Sequence, residues 1–195
     1  TAKIKSTVFP GKNNAMLKIA DFQEASAKQN NWGFIDWNRE MTAINLREQK
    51  KDSAFTLEGS GRIHPDDDGH LVMAYFILKK QGLAGKDVAD IHINAGEKKV
   101  EKEGNCTISQ LSVSPVTIRF NYLAKSLPFP VDTIVRGWEE IKPASAALPV
   151  IPFMKEFDNE RLVVDYLPGK KYRLKIDGQT IGEWTDGALA DGINL

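Results

Sequence analysis

The chain has 195 residues, which is enough for one sizeable domain or two small ones. Its 26 Lys and Arg residues balance its 26 Asp and Glu residues, so no net charge directs the surface towards nucleic acid or an anionic membrane. The hydrophobic fraction of 42% can build a core, no apolar run approaches the ~20 residues of a membrane span, and the single Cys106 excludes an internal disulfide.

The first third of the chain alternates between helical and strand patterns. Apolar residues at i, i+3 and i+4 spacing predict a helix over residues 12–30, and a second helix is predicted over residues 39–51. Between them, the short apolar run GFIDW at residues 33–37 is typical of a strand. The positions expected to face inward are Met16, Ile19, Ala20, Gln23, Ala27, Met41, Ile44 and Leu46.

The stretch GSGRIHPDDDGH, residues 59–70, precedes a third predicted helix over residues 67–81. Pro65 favours extended backbone at the residue before it, and the aspartates suit the positive end of a helix dipole, with Asp66 or Asp67 as the N-cap. Gly82 fits the position just after the helix. Leu71, Val72, Tyr75, Phe76 and Leu78 make this helix apolar enough to be buried.

Metal binding is the competing interpretation of the same stretch. His64 and His70 are six residues apart, which is not the two-histidine spacing of a zinc protease helix, and the acidic residues do not follow EF-hand spacing. We therefore predict neither a metal nor a cofactor, and we assign the aspartates to helix capping. His70 is expected to be partly buried or to take part in capping.

The remainder of the chain is rich in β-branched residues in alternating patterns. Antiparallel strands in a meander are predicted over residues 86–125, and three more strands lie within residues 161–184. The run LPFPVD at residues 127–132 is too rich in proline for a central strand. Asp177-Gly178 is a strong hairpin signal. An α/β part is therefore followed by a β-rich part.

Several blocks then resemble one known family. GRIHPDDDGHLVMAYFILKKQG resembles the last conserved block of the SGNH hydrolases, or GDSL esterases, whose pattern is D-x-x-H-P, a few small or acidic residues, G-H and an apolar helix. NNWGFIDWNREMTAIN resembles the segment before that block. LPFPVD, IPFMKEFDNERLVVDYLPGKKYRLKIDGQTIGEWT and DGINL resemble a β-rich extension carried by one branch of the family. The resemblance covers nearly the whole chain.

The resemblance implies a fold and a division of the chain. Residues 1–87 would be the C-terminal part of a flavodoxin-like three-layer α/β hydrolase domain. Residues 88–184 would form an antiparallel β-rich extension, and residues 185–195 would begin a returning C-terminal segment. The family's earlier blocks, with the serine and the oxyanion-hole glycine and asparagine, have no match here, so we expect them before Thr1.

The resemblance also implies a chemistry, in which a serine attacks an ester and a histidine is the general base. Carried over, His64 is the base, and none of the chain's serines lies in a Gly-Asp-Ser setting. The position of the family's orienting aspartate is Gly61, whose lack of a side chain leaves a main-chain oxygen, Glu58 or Asp66 as substitutes.

The function implied is that of a bacterial acylhydrolase that could deacetylate carbohydrate, in the periplasm or outside the cell. This chain alone is expected to be inactive. Its expected partners are an ester substrate and either the N-terminal half of the hydrolase domain, covalent or separate, or a second copy.

Two other interpretations stay open. The chain could be a non-catalytic module derived from the same fold, which binds carbohydrate or protein through exposed tryptophans. The candidates are Trp32, Trp37, Trp138 and Trp184. Alternatively, Thr1 could be the nucleophile of an N-terminal nucleophile hydrolase, although the residues after it lead into a helix.

Overall fold

The structure is a computed structural model that describes residues 11–59, 63–136 and 141–195. The described residues form helices and several small sheets, which confirms the mixed α/β class. They divide into two compact units. The first contains the described residues up to Ala84 and those within Pro130–Phe153, and the second contains Gly85–Phe129 and Met154–Leu195. The described residues within 130–153, a range that the sequence placed in the β-rich part, thus fold with the first unit.

The first unit is helical. Its elements are α1 (Lys12–Asn30), α2 (Trp37–Glu48), α3 (Asp67–Lys80) and a 3₁₀-helix (Ala144–Ala147). The described residues of this unit form no strand beyond an isolated bridge between Glu58 and Pro65. Among the helices that the structure describes, none is both long and apolar enough to cross a membrane.

Helix α1 has the predicted bounds, but fewer of its apolar side chains are buried than predicted. Ala20 and Ala27 are buried, whereas Met16 and Ile19 remain 43% and 49% exposed. The prediction that these two larger side chains face inward is therefore wrong. Only the alanine positions of α1 are covered, so the larger apolar residues lie at the edge of the buried stripe.

The strand predicted at residues 33–37 is wrong, because its last residue begins helix α2 and the residue before it caps that helix. The Asp36 carboxylate accepts a hydrogen bond from the backbone N–H of Arg39 at 2.9 Å, so Asp36 is the N-cap. Trp37 is the first helical residue, and its indole N–H donates to the carbonyl oxygen of Met73 on α3 at 3.3 Å. The capping hydrogen bond therefore favours the start of a helix, and the short apolar run does not form a strand.

Helix α3 follows the sequence pattern closely. Val72 and Tyr75 are buried, as predicted. The helix ends at Lys80, and Gly82, just after the C-cap Gln81, has a positive φ of 72°. The next residue, Leu83, donates its N–H to the carbonyl oxygen of Leu78 at 3.1 Å, which is the bond of a Schellman motif. The glycine is required there because its backbone is left-handed.

The second unit contains the sheets. Its strands are β1 (Ala89–Asn94), β2 (Lys99–Gly104), β3 (Cys106–Val113), β4 (Ile118–Ala124), β5 (Glu160–Asp165), β6 (Lys171–Ile176), β7 (Gln179–Thr185) and β8 (Ile193–Asn194). Its helices are α4 (Phe153–Phe157), whose first residue belongs to the first unit, and α5 (Asp186–Asp191). One sheet has the order β2-β1-β5-β8, and β3-β4 and β6-β7 each form a two-stranded sheet. Ile91, Ile93, Leu162 and Val164 are central to the core.

The predicted antiparallel extension is only partly right, because β1 and β5 pair in parallel. A parallel pair needs a long crossover, and the chain between these strands includes the residues that fold with the first unit. Alternation predicts strands but not their pairing direction. The β6-β7 hairpin is confirmed, since Asp177 and Gly178 both have positive φ, as a type I′ turn requires.

We predict that Gly69→Ala destabilises the first unit by about 2 kcal/mol or more. A methyl group on Gly69 would overlap the carbonyl oxygen of Leu57 and lie 2.9 Å from Cβ of Pro65. Gly33→Ala is the matched control, because a Cβ there meets no atom within 4 Å; it should change stability by less than about 1 kcal/mol. Equal free energies of unfolding in urea for the two variants would contradict this prediction.

Candidate functional site

The candidate site is the loop between α2 and α3 that carries His64. Glu58 and Pro65 form an antiparallel bridge, and the Gly59 N–H donates to the carbonyl oxygen of His64 at 2.8 Å. The tip of the loop, which includes Gly61, lies outside the described residues. The backbone of His64 is therefore held by a hydrogen bond across the loop.

The base of the loop is joined to helix α3. The Asp66 N–H donates to the carbonyl oxygen of Leu57 at 3.1 Å, and Leu57 is fully buried. Asp66 is also the N-cap residue of α3, and its carbonyl oxygen accepts from the His70 N–H at 2.9 Å. The loop and the first turn of the helix are consequently one hydrogen-bonded assembly.

The side chain of His64 is exposed. Within the part of the chain that the structure describes, its imidazole has no hydrogen-bonding partner. His70 is exposed as well, and the expectation that it is partly buried or a cap is wrong. The first turn of α3 buries Asp68 and Gly69 instead, which turns residue 70 outward.

The two carboxylates named as substitute orienters of His64 are engaged elsewhere. Glu58 accepts hydrogen bonds from the Asn45 amide at 3.1 and 3.2 Å and from the Thr56 hydroxyl. Asp66 is fully buried, and its carboxylate accepts from the Ile141 N–H at 3.3 Å. Neither carboxylate hydrogen-bonds to the imidazole of His64 in the structure.

Helix α2 supports the loop through two amides that the sequence analysis did not single out. The Asn45 side-chain oxygen accepts from the Leu57 N–H at 2.9 Å, while its NH₂ group donates to Glu58. One turn later, the Gln49 amide donates to the carbonyl oxygen of Phe55 at 2.9 Å. No local signal marks these residues, because their partners lie in a different element.

The three aspartates after Pro65 bind the segment that returns to the first unit. The pairs are Asp66 with the Ile141 N–H (3.3 Å), Asp67 with the Arg136 N–H (2.8 Å) and Asp68 with Nζ of Lys142 (2.6 Å). Asp66 holds the predicted N-cap position, but its side chain makes no capping hydrogen bond. The assignment of the aspartates to capping alone is therefore corrected.

Lys142 also reaches the other side of the loop. Its ammonium donates to the carbonyl oxygen of Thr56 and lies 5.5 Å from the centre of the Phe55 ring. The second oxygen of Asp66, which has no hydrogen-bond partner, is 3.8 Å from the same Nζ. Burial raises the pKa of Asp68, and the hydrogen bond and charge of Lys142 oppose that rise.

A second histidine–carboxylate pair lies on the four-stranded sheet of the second unit. Nε2 of His92 on β1 is 2.6 Å from Asp165 on β5, and Glu101 on β2 is 3.5 Å away. The pair depends on the parallel pairing of β1 and β5, which the sequence did not predict. Among the described residues, no group of three or more His, Cys, Asp or Glu side chains could hold a metal ion.

The tryptophans do not share one environment. Trp32 is 67% exposed, Trp37 is half-buried between helices, and Trp184 is half-buried in the β6-β7 hairpin. Trp138 lies outside the described residues. In the described part of the chain, Trp32 is thus the one tryptophan whose ring is largely open to solvent.

Comparison with known proteins gives one informative similarity. No family profile matches the chain, and no curated protein matches it. A solved structure titled as a gut microbial diltiazem-metabolizing enzyme is similar, with 50% sequence identity and a TM-score of 0.90. The similarity covers 100% of this chain and 44% of the other, so the chain spans less than half the length of that protein. Over its whole length, the chain is therefore similar to a portion of an enzyme.

Proposed function

We propose that the chain is the histidine-bearing portion of an SGNH-type ester hydrolase and that His64 is its general base. The nucleophilic serine and the oxyanion-hole donors would come from the remainder of the hydrolase. The observation that carries the proposal is that the backbone of His64 is hydrogen-bonded across the loop while its side chain is exposed and has no hydrogen-bonding partner among the described residues. The first unit would then be the C-terminal part of a flavodoxin-like three-layer domain.

The proposed reaction has two proton transfers through the same ring nitrogen. The neutral imidazole of His64 accepts the serine hydroxyl proton as the serine oxygen attacks the ester carbonyl, and the imidazolium then protonates the departing alcohol. Water repeats the sequence on the acyl-enzyme and releases the acid. The histidine therefore has to be accessible to the substrate, and the exposure of His64 supports this role.

The ring also needs an acceptor for its other N–H. Gly61 offers none through a side chain, Glu58 bonds to Asn45 and Thr56, and Asp66 is buried beside the segment that contains Ile141. A neutral imidazole needs only one acceptor, so we propose that a main-chain oxygen takes this role in preference to either carboxylate.

Acetyl esters are the proposed substrate class. The similar structure is that of an enzyme that metabolizes diltiazem. Diltiazem carries an acetate ester on an otherwise bulky ring system, and removal of that acetyl group is a reaction that serine chemistry with a histidine base can perform. Acetylated carbohydrate presents the same reactive group and is a second candidate substrate.

The proposed partner is the remainder of the hydrolase domain, joined covalently or not, and a second copy is the other candidate. Helix α1 leaves a stripe of apolar residues exposed, formed by Met16, Ile19 and Phe22, and Phe22 is 72% exposed. Apolar side chains in a contiguous stripe are typical of a contact surface. We propose that this stripe packs against the remainder of the hydrolase domain.

Replacement of His64 in the intact protein tests the assignment. We expect His64→Ala to lower kcat/KM for p-nitrophenyl acetate by at least about 10³-fold, because it removes the group that accepts the serine proton. His70→Ala is the matched control, since this second exposed histidine lies six residues further along the chain, in helix α3, and it should leave the rate within about twofold. Retention of activity by His64→Ala would refute the assignment.

Product analysis tests the substrate class. Incubation of diltiazem with the intact protein should release acetate and an alcohol that has lost the acetyl group, in equal amounts, as measured by mass spectrometry and an acetate assay. A product that keeps its acetyl group would contradict the proposal. Binding of acetylated carbohydrate without turnover, weakened by Trp32→Ala, would instead favour the non-catalytic module.

A further inference from the structure

We propose that Lys142 is a positioning residue, which holds the loop of His64 in the geometry that proton transfer requires. The inference rests on the proposed role of His64 as a general base. Among the described residues, the ammonium of Lys142 bonds to Thr56 and Asp68 and not to the imidazole of His64. It would act through the two ends of the loop.

The contacts of Lys142 span the loop from one end to the other. Its ammonium donates to the carbonyl oxygen of Thr56, just before the loop, and to the carboxylate of Asp68, just after it, at 2.6 Å. Between these two points lie the Glu58–Pro65 bridge and His64. One side chain, 74 residues from Asp68 along the chain, therefore links both ends.

The carboxylates beside the Lys142 ammonium are buried. Asp66 and Asp68 are 0% and 1% exposed, and the Lys142 side chain is only 25% exposed and lies over the Phe55 ring. Two buried carboxylates at this position require a nearby cation, since buried charges are stable only when they are paired. Water can replace little of this contact, so the ammonium has few alternative positions.

The consequence for His64 follows from the backbone bonds of the loop. The Gly59–His64 bond of 2.8 Å and the Asp66–Leu57 bond of 3.1 Å both require the loop ends to stay together. Without the ammonium, the uncompensated carboxylates would draw in water and separate those ends. A displacement of about 1 Å at a catalytic group can lower a rate by about 10²-fold.

The first experiment measures kinetics on variants of the intact protein. Lys142→Met should lower kcat for p-nitrophenyl acetate by about ten- to a hundredfold with KM changed less than twofold, because the substrate surface is untouched. Lys142→Arg should recover most of the loss, since it retains a cationic donor. Lys51→Met is the matched control; its ammonium pairs with Glu48 at 2.9 Å on the surface of the same unit, and kcat should not change.

A further variant covers the case in which Lys142→Met does not fold. The double variant Lys142→Met with Asp68→Asn removes the link without leaving the Asp68 charge unpaired. It should fold and still show the loss of kcat. In Lys142→Met itself, the pKa of Asp68 should rise further, because the hydrogen bond and the charge that lower it are both removed.

Hydrogen exchange supplies a readout that is independent of activity. The amide protons of Gly59 and Asp66, which close the loop, should exchange at least about tenfold faster in the double variant. Those of Val72 and Tyr75, inside helix α3, should keep their wild-type rates.

The outcomes separate this inference from the proposed function. Loss of kcat together with faster exchange at Gly59 and Asp66 alone supports it. A folded double variant with wild-type kcat, or with wild-type exchange at these two amides, overturns it. If His64→Ala retains activity, the proposed function fails, and the exchange rates alone then decide whether Lys142 holds the loop.

Discussion

The first unit depends on a buried ion pair between Asp68 at the start of helix α3 and Lys142 in the returning segment. A buried carboxylate is tolerated only with a partner, so the pair forces two distant parts of the chain together. The same contact holds the returning segment against the first turn of the helix. Asp66 and Asp67 extend it by accepting backbone N–H groups from the same segment. The three aspartates, which the sequence would allow to be exposed to solvent, thus hold the returning segment against helix α3.

Features that depend on a few neighbouring residues could be predicted from the sequence. Helix α3, its terminal Gly82 and the Asp177-Gly178 turn all follow from local backbone chemistry, and the structure has each of them. The strand expected at residues 33–37 failed because Asp36 forms a cap, which competes with a short apolar run. The parallel pairing in the second unit failed for another reason, since pairing direction depends on the path of a long connection.

The residues of the candidate site also divide into those that the sequence could predict and those that only the structure reveals. His64 could be named because a motif surrounds it in the sequence, and the structure places it on the surface of a hydrogen-bonded loop. Lys142 and Asn45 could not be predicted, because the residues to which they hydrogen-bond lie in other elements of the fold. Charge alone could not reveal Lys142, one of many lysines in a chain whose charges balance. Supporting contacts are properties of the fold, whereas the group they support can be visible in the sequence.

An exposed histidine without a hydrogen bond is ordinary on a protein surface, so exposure alone does not distinguish a base from a solvated side chain. The distinction lies in the structure beneath it. A merely solvated loop has no need of a buried ion pair at its base, nor of a glycine at residue 69 that leaves no room for a methyl group against Leu57. Close packing and buried charge around a loop whose histidine faces outward favour a position that must be maintained. A maintained position is what proton transfer to a substrate requires, and it is why the loop of His64, rather than the His92–Asp165 pair on the sheet, is the site we propose.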